Sequence, residues 1–124
     1  KMKGVFDPAN FIQCGVKILP AYELLKDYIE YMHIKDCRYE DGFVVPPGAG
    51  DGCLKELLLA FSQKDGDRFL TLEPHLKVFD GLKDLEQTGG ADSVSEKYAY
   101  PTNRDAFNAA ANALHSILKE IGAE

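Results

Sequence analysis

Three apolar runs in this chain each end in a side chain able to bind a metal: Gly4-Val5-Phe6-Asp7, Tyr31-Met32-His33-Ile34-Lys35-Asp36 and Phe69-Leu70-Thr71-Leu72-Glu73-Pro74-His75. Read as strands, the runs place Asp7, His33 and Glu73 at three successive C-terminal strand ends. Parallel strands bring such ends to one rim, where a divalent cation could be held between them. A carboxylate, an imidazole and a carboxylate suit Mn²⁺, Mg²⁺, Co²⁺ or Zn²⁺. Each residue also has a plainer reading. Asp7 before Pro8 could be a turn residue, and His33 a satisfied core histidine. Glu73 is harder to dismiss, because a carboxylate closing a buried strand is costly unless it is paired or bound to a cation. His33 lies 26 residues after Asp7, and Glu73 lies 40 after His33. No local motif links them, so the fold must bring them together.

The positioning elements follow from periodicity. The first strand ends at Asp7-Pro8, and residues 8–19 read as a loop. Pro20 suits the first turn of a helix, with Leu24, Leu25 and Tyr28 as its apolar stripe. A second strand spans roughly 30–35, with Met32 and Ile34 on one face and Tyr31, His33 and Lys35 on the other. Residues 36–50 read as a polar loop ending in Pro46-Pro47-Gly48-Ala49-Gly50, whose glycines reach backbone angles closed to other residues. Asp51 is placed to cap the next helix, where Leu54, Leu57, Leu58 and Phe61 fall at i, i+3, i+4 and i+7. Asp65-Gly66-Asp67 ends it. The third strand covers about 68–73, with Leu70 and Leu72 on one face and Phe69, Thr71, Glu73 and His75 on the other.

Residues 76–101 read as a long irregular connection, of the kind that often serves as a lid or binding loop, with a short helical turn from Phe79 to Leu85. Thr102 and Asp105 resemble a capping box. Phe107, Ala110, Ala111, Leu114, Ile117, Leu118 and Ile121 mark the apolar face of a terminal helix that Gly122 stops. Strand and helix alternate three times, which predicts an α/β fold with a parallel sheet and right-handed crossovers.

Composition sets the outer limits. The chain has 124 residues, enough for one domain, with 45% hydrophobic and 27% charged residues. A net charge of -6 without any basic run argues against a nucleic-acid partner. No apolar stretch approaches a membrane span. Cys14, Cys37 and Cys53 lack metal or disulfide spacing and read as free thiols of a reducing cytoplasm. The chain opens at Lys1, so the lack of a signal segment carries no weight.

The segments Phe6-Asp7-Pro8-Ala9-Asn10-Phe11, Met32-His33-Ile34-Lys35-Asp36, Pro47-Gly48-Ala49-Gly50-Asp51 and Leu72-Glu73-Pro74-His75-Leu76 together resemble the C-terminal part of the xylose-isomerase-like barrel superfamily. The nearest group is the sugar phosphate isomerase/epimerase family, close to inosose dehydratase and the ketose 3-epimerases. The resemblance spans nearly all of residues 1–124 and implies strands six to eight of a TIM (β/α)8 barrel with their helices. It also implies a metal held by Glu, Asp, His and Glu, of which Asp7, His33 and Glu73 match the last three. In such epimerases two glutamates on opposite sides of the substrate move a proton at carbon. Glu73 would be one of them, and the first Glu has no counterpart here. Asn10 stands where relatives carry a substrate-facing polar residue, often His.

That chemistry suits the residue types. Proton removal beside a carbonyl needs a base, and a Lewis acid to hold the enediolate oxygens. Lys35 could meet substrate oxygens or pair with a neighbouring carboxylate. Arg38, after the second strand, could bind a phosphate or hydroxyls. His75 shares the face of Glu73 and has either a substrate or a supporting role. His115, in the terminal helix, reads as structural or solvated. Three histidines are too few for the related endonuclease barrels, which use several zinc ions.

The expectation is therefore a metal-dependent isomerase or epimerase of a sugar or sugar phosphate. A dehydratase of a cyclic polyol such as inosose is the alternative, and a non-catalytic associating fragment the second alternative. A whole barrel needs eight strands in typically ~250 residues. Three βα units predict a fragment of a longer enzyme, with open strand edges and apolar faces that favour self-association or a homo-oligomer.

Overall fold

The computed structural model describes residues 2–76 and 96–123. In chain order the elements are β1 (Gly4–Phe6), α1 (Pro8–Gln13), α2 (Ile18–Leu25), β2 (Ile29–Ile34), β3 (Asp36–Cys37), β4 (Val44–Val45), α3 (Leu54–Ser62), β5 (Phe69–Leu72) and α4 (Asn103–Glu120). Single 3₁₀ turns cover Lys26–Tyr28 and Glu96–Tyr98.

The parallel sheet has the order β1-β2-β5, with β2 in the centre. Val5 pairs with Tyr31, Tyr31 with Phe69, and His33 with Thr71. Strand alternation then sorts the side chains. Phe6, Met32 and Ile34 are fully buried, with Leu70 and Leu72 half-buried beside them. Leu54, Leu57, Leu58 and Phe61 of α3 and Ile117 of α4 join that core. Each such side chain contributes about 1.5–3 kcal/mol when fully buried. Val5, Tyr31 and Phe69 point to the other face, where Phe69 is 71% exposed. Three parallel strands in sequence order are what one sector of a barrel contains; the described residues form an open sheet.

Two contacts aim the site. Phe6 stacks on Phe11 of α1 at 4.6 Å and meets Tyr22 of α2 edge-on at 5.6 Å. The chain is thereby held tightly on either side of Asp7. A second small cluster of Val44, Leu76, Ala106 and Ala110 fixes the start of α4 against the exit of β5.

Several expectations change. Residues 8–19 are not one loop, because Asp7 caps α1 and Pro8 opens it. Helix α2 begins two residues before Pro20. Its inner stripe is Ile18 and Tyr22 with Leu25 beside them, while Leu24 is 80% exposed and Tyr28 lies outward. The loop after β2 contains the antiparallel β3–β4 hairpin. Cys53, in a left-handed conformation, precedes α3 in the capping position, and the Asp51 carboxylate accepts the Tyr39 N–H instead. Phe107 is half-exposed, off the buried stripe of Ala106, Ala110 and Ile117. The Thr102 hydroxyl does accept the Asp105 N–H at 3.1 Å, and Gly122 takes a positive φ at the helix end. The turn expected from Phe79 to Leu85 lies outside the described residues.

Candidate metal centre

Asp7 has two separate uses. It leaves β1 in an extended conformation, and its Oδ1 accepts the Asn10 N–H at 3.2 Å as the N-cap of α1. That bond fixes the carboxylate and leaves Oδ2 facing the central strand. His33 lies on β2, opposite Thr71, with the Tyr31 ring 5.6 Å away. Its Nδ1 stands 3.7 Å from Asp7 Oδ2 and 3.4 Å from Glu73 Oε1. Glu73 follows β5, and its N–H donates to the Ile34 carbonyl at 3.2 Å, which keeps it beside β2. One ligand atom from each of the three residues falls within 4.8 Å of the other two.

Those distances can be set against what a cation needs. Ligands at about 2.1 Å from an ion stand roughly 3.0 Å apart in an octahedron and roughly 3.4 Å apart in a tetrahedron. The two contacts to His33 are close to that spacing, and the widest separation, within 4.8 Å, would have to shorten for the three to share one coordination shell. Burial pushes the Asp7 carboxyl above its ordinary value. The Asn10 N–H, Lys35 and His33 pull it back, and Glu73 pushes it up again.

The other expected residues divide. His75 joins the edge of the cluster, with Nε2 3.9 Å from Glu73 Oε2. It adopts φ +43°, a left-handed conformation uncommon for a side-chain-bearing residue. Lys35 is 5% exposed, and its charge acts on Asp7, which fits pairing with a neighbouring carboxylate. Arg38 is committed to Asp41 through both Nε and a terminal nitrogen, within the β3–β4 hairpin. Asn10 serves the site through its backbone, and its side chain lies on the exposed surface of α1. His115 is exposed on α4.

The residue that sequence reasoning passed over is Asp36, 1% exposed at the start of β3. Its Oδ2 accepts the N–H groups of Gly48 at 2.8 Å and Gly50 at 3.1 Å, and its Oδ1 accepts that of Gly52 at 2.8 Å. Burial pushes this carboxyl above its ordinary value, and the amides of Gly52, Gly50, Gly48 and Cys37 pull it down. The glycine-rich loop thus points its amides inward at the chain's own carboxylate. The sequence signal was alternation: glycine at 48, 50 and 52, after a lone Asp in a strand end.

A cavity of about 280 Å³ opens beside Glu73, between His75 and the start of α4 at Asn103, Ala106 and Phe107. A larger one, about 820 Å³, lies between the glycine loop and α4, and none of the three cluster residues lines it. The smaller cavity is the one of these two that touches a member of the cluster, Glu73. The chain matches no family model, no curated protein and no solved structure.

Proposed function

We propose that Asp7, His33 and Glu73 bind a divalent cation and that the chain carries part of a metal-dependent isomerase or epimerase acting on a sugar or sugar phosphate. The observation that carries this reading is the convergence of three ligand atoms within 4.8 Å at the C-terminal ends of adjacent parallel strands. A bound cation would supply Lewis acidity toward the oxygens of a hydroxy-carbonyl substrate.

The side chains then divide the remaining tasks. Glu73, which lines the small cavity, would take a proton from the carbon next to the carbonyl. His75 stands beside the other oxygen of Glu73 and would steady it. Lys35 tempers the negative charge around Asp7. The open sheet face, with Val5, Tyr31 and Phe69 side by side, supports self-association as a further property of the chain.

The test is solvent deuterium incorporation and epimer formation on a panel of ketoses and ketose phosphates with added Mn²⁺. The 124-residue chain is expected to exchange a carbon-bound proton slowly and to lose that exchange as Glu73→Gln. Inversion needs a base on each face of the carbon, and the described cluster offers Glu73 on one, so little epimer should form. Dehydration of a cyclic polyol without exchange of any ketose would move the assignment to a dehydratase.

A further inference from the structure

The cluster raises a question of how three short strand ends hold their side chains in register. β1 has three residues and β5 has four, so neither is stiff by itself. The bonds around Asp36 supply an answer. The carboxylate gathers three amides of the loop after β4, and the Asp51 N–H adds a bond to the Cys37 carbonyl at 2.8 Å. This pins the chain three residues beyond His33. Cys37 in turn reaches α1, with Sγ 3.5 Å from the Ala9 carbonyl, two residues after Asp7. Gly52 closes on the same helix, since a Cβ there would stand 3.4 Å from Pro8. Glu73 is tied to Ile34, two residues before Asp36. The segments carrying Asp7, His33 and Glu73 therefore all lead back to one buried carboxylate.

We infer that Asp36 is a positioning residue for the Asp7–His33–Glu73 cluster, with its carboxylate drawing the Gly48, Gly50 and Gly52 amides into an anchor that holds the three ligand-bearing strand ends in place. The inference rests on the reading of that cluster as a metal centre. It goes beyond it in assigning a role to a side chain outside the cluster, whose two oxygens are taken up by loop amides. Charge-assisted bonds to backbone N–H groups are among the stronger hydrogen bonds, and a ligand set held loosely loses affinity steeply. It also takes the loop amides out of use for a substrate phosphate, since each already donates to Asp36.

The test compares Asp36→Asn with Leu58→Ala, a core change in α3 away from the cluster that lowers stability without touching the anchor. Asn keeps the shape but turns an NH₂ toward a donor. Two readouts are taken on the 124-residue chain. One is the imidazole carbon–proton NMR signal of His33, assigned by its loss in His33→Gln. The other is Mn²⁺ affinity. Asp36→Asn should move the His33 signal and weaken Mn²⁺ by about 10–100-fold, the usual range for losing support behind a ligand. Leu58→Ala should leave the signal in place and change affinity by less than about threefold. If Asp36→Asn does not fold, Gly48→Ala strains the same amide set from the loop side and carries the same readouts. An unmoved His33 signal in these variants, or equal movement in Leu58→Ala, overturns the inference. A wild-type chain that ignores Mn²⁺ while its His33 signal still responds only to the anchor variants would overturn the metal reading and leave the anchor standing.

Discussion

Replacing Gly50 with Ala is the sharpest probe of the loop that backs the site. A Cβ built there would lie 2.5 Å from Asp36 Oδ1 and 2.5 Å from the Cys37 carbonyl oxygen. Neither neighbour is the free end of a flexible side chain. One is a carboxylate held by Gly48 and Gly52, and the other is backbone. Gly50 itself has an ordinary backbone conformation, so the cost is steric rather than conformational. Overpacking of a tight site costs about 1–3 kcal/mol. Moving the carboxylate also weakens hydrogen bonds to a charged group, each worth about 1.5–3 kcal/mol. The loop can relax partly, so the sum is about 2–5 kcal/mol, a large share of the roughly 5–15 kcal/mol that holds most domains together. Gly42→Ala is the control. It has open space around it but φ +70°, and should cost only about 1–2 kcal/mol. Urea denaturation of both variants, at unchanged slope, reads the difference. If Gly50→Ala costs no more than Gly42→Ala, the buried anchor as described is wrong.

Leu72→Ala should cost about 2–3 kcal/mol in the same assay, since Leu72 packs against both hydrophobic clusters but is only half-buried; a near-neutral result would mean that its side chain faces the open side of the sheet. Thiol labelling at pH 8 should be fast at exposed Cys14 and slower at Cys53. It should be absent at Cys37, whose thiol burial pushes up to about 12, until the chain unfolds. Prompt labelling of Cys37 in the folded chain would contradict its packing under α1.

The strand ends were legible because alternation fixes which side chain leaves a strand on which face. Once Met32, Ile34, Leu70 and Leu72 were assigned to the helix layer, His33 had to point the other way, and Glu73 followed by the same rule. Helix α3 was legible from the spacing of its leucines. Helix α1 was missed although its signature was present. Asp7 as cap followed by Pro8 is a helix start, a signature that the strand-end and turn roles of Asp7 obscure. One carboxylate has two oxygens: Oδ1 caps α1, and Oδ2 faces His33. The α2 stripe was misjudged because Leu24 and Tyr28 are apolar residues on an outward face; phase is set by Ile18 and Tyr22. Asp51 was misassigned for a related reason, since a capping-type residue was claimed by a hairpin amide, of Tyr39, that periodicity does not reveal. Of the two loop glycines read as conformational, Gly48 does take a positive φ, whereas Gly50, like Gly52 just after it, is needed for close approach to Asp36. Arg38 shows the limit of reading charge from sequence, because Asp41 sits three residues away and takes the guanidinium.

Calorimetric titration of Mn²⁺ and Zn²⁺ into the purified chain tests the central claim most directly. The account predicts one saturable site per chain, lost in His33→Ala and strongly weakened in Asp7→Asn. The second variant keeps an N-cap for α1 while removing a ligand charge, so it separates the two uses of Asp7. Burial holds the Asp7 carboxyl above its ordinary value, so protons reach it at a higher pH than they reach an exposed aspartate, and affinity should fall as the pH is lowered toward that range. No saturable binding, or binding that survives His33→Ala unchanged, would contradict the metal centre.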